Sequence, residues 1–291
     1  MLTVIGGANI DISAQLLVSA VDADSTPAHI SLSFGGVARN IAHDLAVLGC
    51  KVRLITALGN DPFADMLARH CADIGIDITH AHRSDDSLRT GTYICINNTD
   101  GDMAHAAADT SIIEQLSPDI LKPHIEQINA SRAVVLDCNL SQDALAFLLE
   151  NVRVPIYADG VSTHKAHRIV EALRSSGKGV RTLKLNRAEA LAVTDKESVF
   201  AAAETLHAWG VEQVIITLGA DGVLIYDGVA QTIPAPETEV VNTTGAGDAF
   251  LAGAVFAAVQ GKSLRSMALA GLEAARQTLQ VPTAVNPNLK L

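Results

Sequence analysis

Apolar positions along the chain keep two rhythms, and the changes of rhythm mark out the elements. Leu2 to Ile5 is a short continuous apolar run ending in Gly6-Gly7, the pattern of a buried strand. From Gly36 to Leu48 the apolar residues recur at helical spacing, with Gly49 as a C-cap. Lys51 to Leu58 reads as a strand and Asp61 to Ile74 as a helix ending at Gly75. From Ala133 onward the alternation is clean. Strands are expected at Ala133–Asp137, Val154–Ala158, Thr182–Leu185 and Val214–Leu218, with Val223–Tyr226 as a hairpin partner. Helices are expected at Ser141–Asn151, with Ser141 as N-cap, and at Arg187–Val193, Lys196–Trp209, Gly247–Val259 and Ser263–Leu279. Strands alternating with helices imply an α/β fold with a mainly parallel sheet covered on both faces.

Two stretches break that alternation. Residues 13 to 33 are less regular and fit strands or loops outside the main sheet. Thr92 to Ile96 is β-rich, Asn98-Thr99-Asp100-Gly101 is a strong turn signal, and Asp102 to Ala107 can return as a second strand. The hairpin, with part of residues 12 to 33, reads as a small β element inserted into the α/β body. No repeat, low-complexity tract or linker interrupts the chain, so residues 1–291 read as one domain.

Composition narrows the function classes. The 291 residues are 48% hydrophobic but 3% aromatic, so the core is aliphatic and rich in alanine. The formal net charge of -11 argues against binding a nucleic acid polymer, which needs clustered Lys and Arg. No apolar run approaches the roughly 18 residues that span a bilayer, so no membrane role is expected. The first residues lack a basic n-region and read as a strand, not a signal peptide. Cys50, Cys71, Cys95 and Cys138 are scattered without metal-ligand spacing. Reduced thiols in a cytoplasmic protein are the simplest reading.

Chemistry concentrates in four segments. Asn242-Thr243-Thr244-Gly245-Ala246-Gly247-Asp248 precedes an apolar helix. Its glycines let backbone N–H groups approach an anion, and the helix N-terminus adds partial positive charge. Asp248 sits one residue beyond, placed to accept a hydroxyl proton. A plain helix start with a first-turn charge reads the same segment equally well. It is not a Walker A loop, since no Gly-Lys-Ser/Thr follows, and Phe250 stands where a dinucleotide fingerprint needs its third glycine. Gly35-Gly36-Val37-Ala38-Arg39-Asn40 puts paired glycines at an early helix start. Asn186 and Glu189 lie one helical turn apart just after a strand. The pair can hold a hydrated Mg²⁺, which keeps several waters and needs few protein ligands, or can simply cap the helix. Thr217, Gly219 and Gly222 end another strand with a hydroxyl and two glycines, suited to nucleotide phosphates or to a hairpin turn.

At these residues the chain resembles the ribokinase-like (PfkB) family of carbohydrate and nucleoside kinases. The Gly-Ala-Gly-Asp segment and the early Gly-Gly-x-x-x-Asn segment match that family's two signatures, and the likeness runs from Gly6 to the last helix. The resemblance implies a three-layer α/β/α body, a small β-sheet lid formed by about 12–33 and 89–108, and use of ATP with Mg²⁺. Within the family the chain is most similar to pseudouridine kinases. The features are Gly-Gly-Ala-Asn-Ile-Asp at 6–11, Gly-Gly-Val-Ala-Arg-Asn-Ile-Ala at 35–42, Asp137-Cys138-Asn139, Asp159-Gly160-Val161-Ser162 with Lys165, and Leu183-Lys184-Leu185-Asn186-Arg187. One departure matters. The second signature usually begins with Asp, which helps hold a monovalent cation, and here the residue is Asn242, so K⁺ activation is in doubt. Lids of this family often pair between subunits, which makes a homodimer an expectation.

The resemblance assigns roles residue by residue. Asp248 is the base, and residues 245 to 248 form the anion hole. Asp11 and Asn40 bind ribose hydroxyls, Gly35 and Gly36 let the substrate lie against the backbone, and Asn9 and Arg39 belong to the same site. Asn186, Thr217, Gly219 and Gly222 face the nucleotide, with Glu189 and Asn186 near the metal. For Arg39 an exposed helix arginine is an equal reading, and Lys165 is balanced in the same way. Asp137 and Asp159 lie at the carboxyl ends of strands, where open α/β sheets place ligands, and read also as ordinary turn residues, so they are left out of the site. Tyr93 is either a lid residue or a core tyrosine. His164 and His167, three apart on an expected helix, and the Asp85-Asp86 pair read as solvated.

Overall fold

The computed structural model of the chain describes residues 1–21, 23–85 and 88–291. Asp86, half of the pair read as a solvated loop, lies outside the described residues. Strand β1 (Leu2–Ile5) is buried at every position, so both of its faces are covered. It is followed by β2 (Asn9–Leu16), β3 (Ala28–Gly35), α1 (Val37–Val47), β4 (Val52–Ile55), β5 (Ala57–Leu58), α2 (Pro62–Asp73), β6 (Ile76–Asp77) and β7 (His82–Arg83). The hairpin β8 (Thr92–Asn97) and β9 (Met103–Asp109) comes next, then two short helices, α3 (Pro118–Leu121) and α4 (Ile125–Asn129). The second half alternates through β10 (Val134–Asp137), α5 (Gln142–Asn151), β11 (Ile156–Asp159), α6 (His167–Ser176), β12 (Val180–Asn186), α7 (Arg187–Thr194), α8 (Val199–Ala208) and β13 (Val211–Thr217). It closes with β14 (Val223–Tyr226), β15 (Ala230–Ile233), α9 (Ala246–Ala258) and α10 (Leu264–Leu279).

Among the described residues nine strands form one sheet, in the order β15-β14-β13-β12-β11-β10-β1-β4-β6. The strands from β13 to β6 run parallel, and β14 and β15 add an antiparallel edge. The order reverses at β1: the chain moves outward through β4 and β6, then resumes on the other side with β10. A reversal of this kind opens a crevice at the carboxyl ends of the strands, where open sheets bind ligands. Side chains alternate across the sheet. Val134 and Leu136 enter a core built with α5, α6, α7 and α8, whereas Ala133 and Val135 enter a second core built with α1, α2, α9 and α10. The result is the mainly parallel sheet covered on both faces that the alternation implies, and the three-layer α/β/α body that the resemblance implies.

A separate sheet has the order β3-β2-β8-β9. Residues 13 to 33, less regular on sequence, thus carry most of an antiparallel pair of eight-residue strands. Register puts Ile12, Leu32 and Ile94 in one row and Asp11, Ser33 and Tyr93 in the next, on the opposite face. The aliphatic face is open to solvent: Ile30 is 69% exposed and Leu32 53%.

Other differences from the sequence reading have local causes. The expected strand Lys51–Leu58 breaks at Thr56, whose carbonyl accepts from the His82 N–H and turns β5 aside to pair with β7. Helix α8 starts at Val199, not Lys196, because the Ser198 hydroxyl caps it by accepting from the Ala201 N–H. His164 lies in the turn before α6, and both it and His167 are exposed. No helix among the described residues is long and apolar enough to cross a membrane.

Candidate active site

Chain ends far apart in sequence meet at the crevice beside β1. Gly36 caps α1 directly after β3, so Asn40 lies one turn into the helix. Its side-chain N–H donates to Asp248 Oδ2 at 2.7 Å, across a separation of 208 residues. That bond joins the early glycine segment to the late one. Asp11, near the start of β2, accepts from the Asn9 amide. Gly35 pairs with Asn9 across the strands, and a Cβ on it would stand 2.3 Å from the Asp11 carboxylate. Gly35 therefore makes room for the carboxylate that would hold sugar hydroxyls. Burial pushes Asp11 up to about 6, against the pull of Arg39 and the Asn9 bond.

Arg39 is not an exposed helix residue: it is 2% exposed. Its Nε donates to the Gly35 carbonyl at 3.2 Å, and its terminal nitrogens bond the Phe34 carbonyl, Asn40 Oδ1 and His43 Nδ1. The guanidinium thus ties the end of β3 to α1 and orients Asn40. Burial, the Arg39 charge and His70 hold His43 down at about 4, so its neutral ring can accept from the guanidinium.

The N-terminus of α9 carries the second half of the site. Gly245 has φ +81°, and a Cβ on it would stand 1.9 Å from the Ala284 carbonyl, so glycine is required there on both counts. The first-turn N–H groups of Gly247 and Asp248 have no partner among the described residues, while the Ala249 N–H already bonds the Gly245 carbonyl. Free N–H groups at a helix N-terminus fit a phosphoryl oxygen. Burial pushes the Asp248 carboxyl up to about 7. The Asp159 charge adds to the rise, and the Asn40 bond, Lys184 and Arg39 oppose it. A carboxylate of that strength suits a general base near neutral pH.

The residues assigned to the nucleotide lie farther along the same sheet edge. Asn186 ends β12 and caps α7: its Oδ1 accepts from the Glu189 N–H at 2.9 Å, and Glu189 accepts from both the Asn186 N–H and its side-chain amide. Glu189 is thereby buried rather than solvent-facing. Each carboxylate oxygen takes one N–H and keeps a lone pair, so the pair fits a hydrated Mg²⁺ better than a bare ion. No group of three His, Cys, Asp or Glu able to hold a metal occurs among the described residues. Thr217 ends β13 beside Asn186, and Gly219 begins the exposed turn that follows. Gly222 closes that turn, and a Cβ on it would stand 2.0 Å from the Ile233 carbonyl. Its place is fixed by the packing of β15.

Two buried groups were given no site role by sequence. Asp137 Oδ2 accepts from the N–H groups of Gly7 and Ala38, and the Asn139 amide also donates to it. It clamps the switch point shut beneath the site. Lys184, between two leucines of β12, donates to Asp159 Oδ2 at 2.9 Å with both side chains buried. A lysine inside an otherwise buried strand was the available signal. Lys165 donates to Asn139 Oδ1 at 2.6 Å, and Tyr93 stands opposite Asp11 on the small sheet.

Comparison with known proteins bears on this geometry. The family model described as pfkB family carbohydrate kinase matches residues 1–291. The chain is 32% identical over 298 residues to the pseudouridine kinase of Escherichia coli strain K12, covering 100% of this chain and 94% of that protein. A carbohydrate kinase from Agrobacterium tumefaciens superposes with a TM-score of 0.87 at 30% identity, over 99% of this chain and 94% of that one. The ribokinase of Thermotoga maritima shares the fold, with a TM-score of 0.85 at 23% identity over 97% of this chain and 94% of that one.

Proposed function

The chain belongs to the pfkB family of carbohydrate kinases, and from that premise we propose that it phosphorylates the primary 5′-hydroxyl of a ribosyl substrate, namely pseudouridine, giving pseudouridine 5′-phosphate. The bond from Asn40 to Asp248 carries the reading, because it ties the sugar side of the site to the base. Kinases of this family use ATP, usually with Mg²⁺, which together supply the phosphoryl group and offset its charge. Asp11, with Asn9 behind it, holds vicinal ribose hydroxyls, and Gly35 and Gly36 leave the sugar space against the backbone. Asp248 accepts the proton of the primary hydroxyl as that oxygen attacks. The N–H groups of Gly247 and Asp248, at the turn made by Gly245 and Ala246, take up charge on the transferred group. Glu189 and Asn186 would hold the metal through its waters, with Thr217 and Gly219 beside the nucleotide. Closure of the small sheet would exclude water from the transfer. Its exposed aliphatic face, carrying Ile30, Leu32 and Ile94, would pair with a second copy of the chain.

An ADP-release assay over a panel of nucleosides and sugars tests the reading. Turnover of pseudouridine but not of ribose is expected. Turnover of ribose, fructose or a ketodeoxy sugar acid alone would move the substrate class. Binding without turnover would make the chain a silent nucleoside-binding protein.

A further inference from the structure

The buried pair Lys184 and Asp159 has no role in the account above, and its place is unusual. The two residues sit side by side in register at the carboxyl ends of β12 and β11. The Asp159 carboxylate is fixed at both oxygens, Oδ2 by Lys184 and Oδ1 by the Val161 N–H at 2.8 Å. Lys184 spends one ammonium proton on Asp159, and no second acceptor bonds it among the described residues. A methyl group placed on Gly247 would lie 2.9 Å from Lys184 Nζ. The ammonium therefore stands directly beneath the first turn of α9, beside the free N–H groups. An ion pair this deeply buried generally gains nothing over an apolar pair of the same volume, so stability does not account for it.

We propose that Lys184 is a catalytic residue whose ammonium group contacts the phosphoryl group in flight, and that Asp159 is the positioning residue that aims it. The proposal rests on the kinase reading of the α9 N-terminus and adds a fixed cation to it. In the transfer the substrate oxygen bonds to the γ-phosphorus, and the bond from that phosphorus to the β,γ-bridging oxygen breaks with its electron pair leaving on ADP. The hydroxyl proton passes to Asp248, and Lys184 keeps its protons throughout. The titratable and charged groups that face Asp248 are Asp159 from β11, Lys184 from β12, and Arg39 and the neutral carboxyl of Asp44 from α1. Of these, Lys184 eases ionisation of the base and Asp159 resists it.

Two single variants and their combination decide the matter. Lys184→Met should weaken inorganic phosphate binding to the ligand-free protein by at least about 10-fold in calorimetry, the loss expected of one charge-assisted bond. It should lower kcat by on the order of 10²–10³-fold, as removal of one donor to a developing charge does. It should also move the acid limb of the rate profile upward by about one pH unit or more, while Asp159→Asn moves it downward. Because Lys184→Met leaves Asp159 unpaired and can fail to fold, the double variant Lys184→Met/Asp159→Asn, neutral at both positions, is the control. It should fold and return the acid limb toward its original place, yet keep weak phosphate binding and low kcat. A double variant with restored phosphate affinity and kcat would make the pair structural and overturn the proposal. Retained turnover in Asp248→Asn would instead remove the base while leaving the phosphate result to stand, so the two failures are distinct.

Discussion

Replacing Asp248 by Asn should remove catalysis and stabilise the protein at once. Folded Asp248 holds its proton up to about 7, whereas the unfolded carboxyl holds it only to 3.8. The folded state thus binds the extra proton between those values. The stability contributed by the protonated carboxyl is complete below the unfolded value and is lost as the pH rises through about 7. At pH 8 the wild type carries an ionised carboxylate in a setting that resists it. The rise from 3.8 to about 7 corresponds to at most about 4 kcal/mol. Asp248 is only partly buried, so a gain of about 1–3 kcal/mol is the expected range for the variant. Asn stays neutral at every pH and keeps an oxygen that can accept from Asn40. Urea denaturation at pH 8 should show the gain, and it should shrink as the pH is lowered towards 4. Turnover should fall by about 10²–10⁴-fold, the contribution of a positioned base. A variant less stable than wild type at pH 8, or a gain independent of pH, would refute the burial argument. Near wild-type turnover would refute the role as base.

Gly35→Ala should raise the substrate KM by roughly 10-fold or more, since the new Cβ displaces the Asp11 carboxylate and costs a charge-assisted bond; an unchanged KM would remove Asp11 from the sugar site. Glu189→Gln should raise the Mg²⁺ concentration needed for half-maximal rate, and an unchanged titration would take Glu189 out of the metal site. Asn242 donates its amide to the Pro282 carbonyl at 2.9 Å and accepts from the Thr244 N–H, so its neutral side chain is committed to bridging two loops and offers a cation no carboxylate. Exchanging K⁺ for Na⁺ should therefore leave kcat unchanged, and a strict K⁺ requirement would contradict this. Lys at both Leu32 and Ile94 should yield a monomer in sedimentation, and a wild type already monomeric would remove the lid pairing.

How far the fold could be read depended on whether a rhythm implied its own burial. β1 and β10 are short apolar runs ending in glycine or aspartate, the length and pattern of strands in a sheet covered on both faces. β3 alternates strictly, with Ile30, Leu32 and Phe34 against His29, Ser31 and Ser33, yet period two does not say which side is covered. Here Ile30 and Leu32 face solvent and only Phe34 packs against the body, so most of the strand carries no signal of the main core. Arg39 has the spacing of a surface helix residue. It is buried because β3 ends against the start of α1 and leaves the Phe34 and Gly35 carbonyls for it to bind. Asn186 and Glu189 show the opposite limit. Asn-x-x-Glu before a helix is the pattern of a capping box, and the structure contains that box, so the same residues read as a cap and as a ligand pair. Lys184 was legible only as a charge between leucines; its nearness to Gly247 depends on how α9 crosses β12.

The strength of the base is consequently a property of several elements and not of the Gly-Ala-Gly-Asp segment. Asp44 lies one turn beyond Asn40 on α1, fully buried, and neither carboxylate oxygen has a partner among the described residues. Burial, with the Asp248 charge adding to it, pushes that carboxyl well above its ordinary value. An ionised carboxylate so placed would cost several kcal/mol, so Asp44 is held protonated. The single Arg39 charge is then left to act on Asp11 and Asp248, and it lowers both. Burial brings Asp11 to about 6 and Asp248 to about 7, with Arg39 and the Asn9 bond opposing it at Asp11, and the Asn40 bond, Lys184 and Arg39 opposing it at Asp248. Both values lie close enough to neutrality for a small change in nearby charge to decide ionisation. Helix α1 supplies Arg39, Asn40 and Asp44 from one turn and a half, β11 and β12 supply Asp159 and Lys184, and α9 supplies only the carboxyl. The early glycine segment and the late one are thus halves of one titrating unit: the first sets the charge under which the second can take a proton.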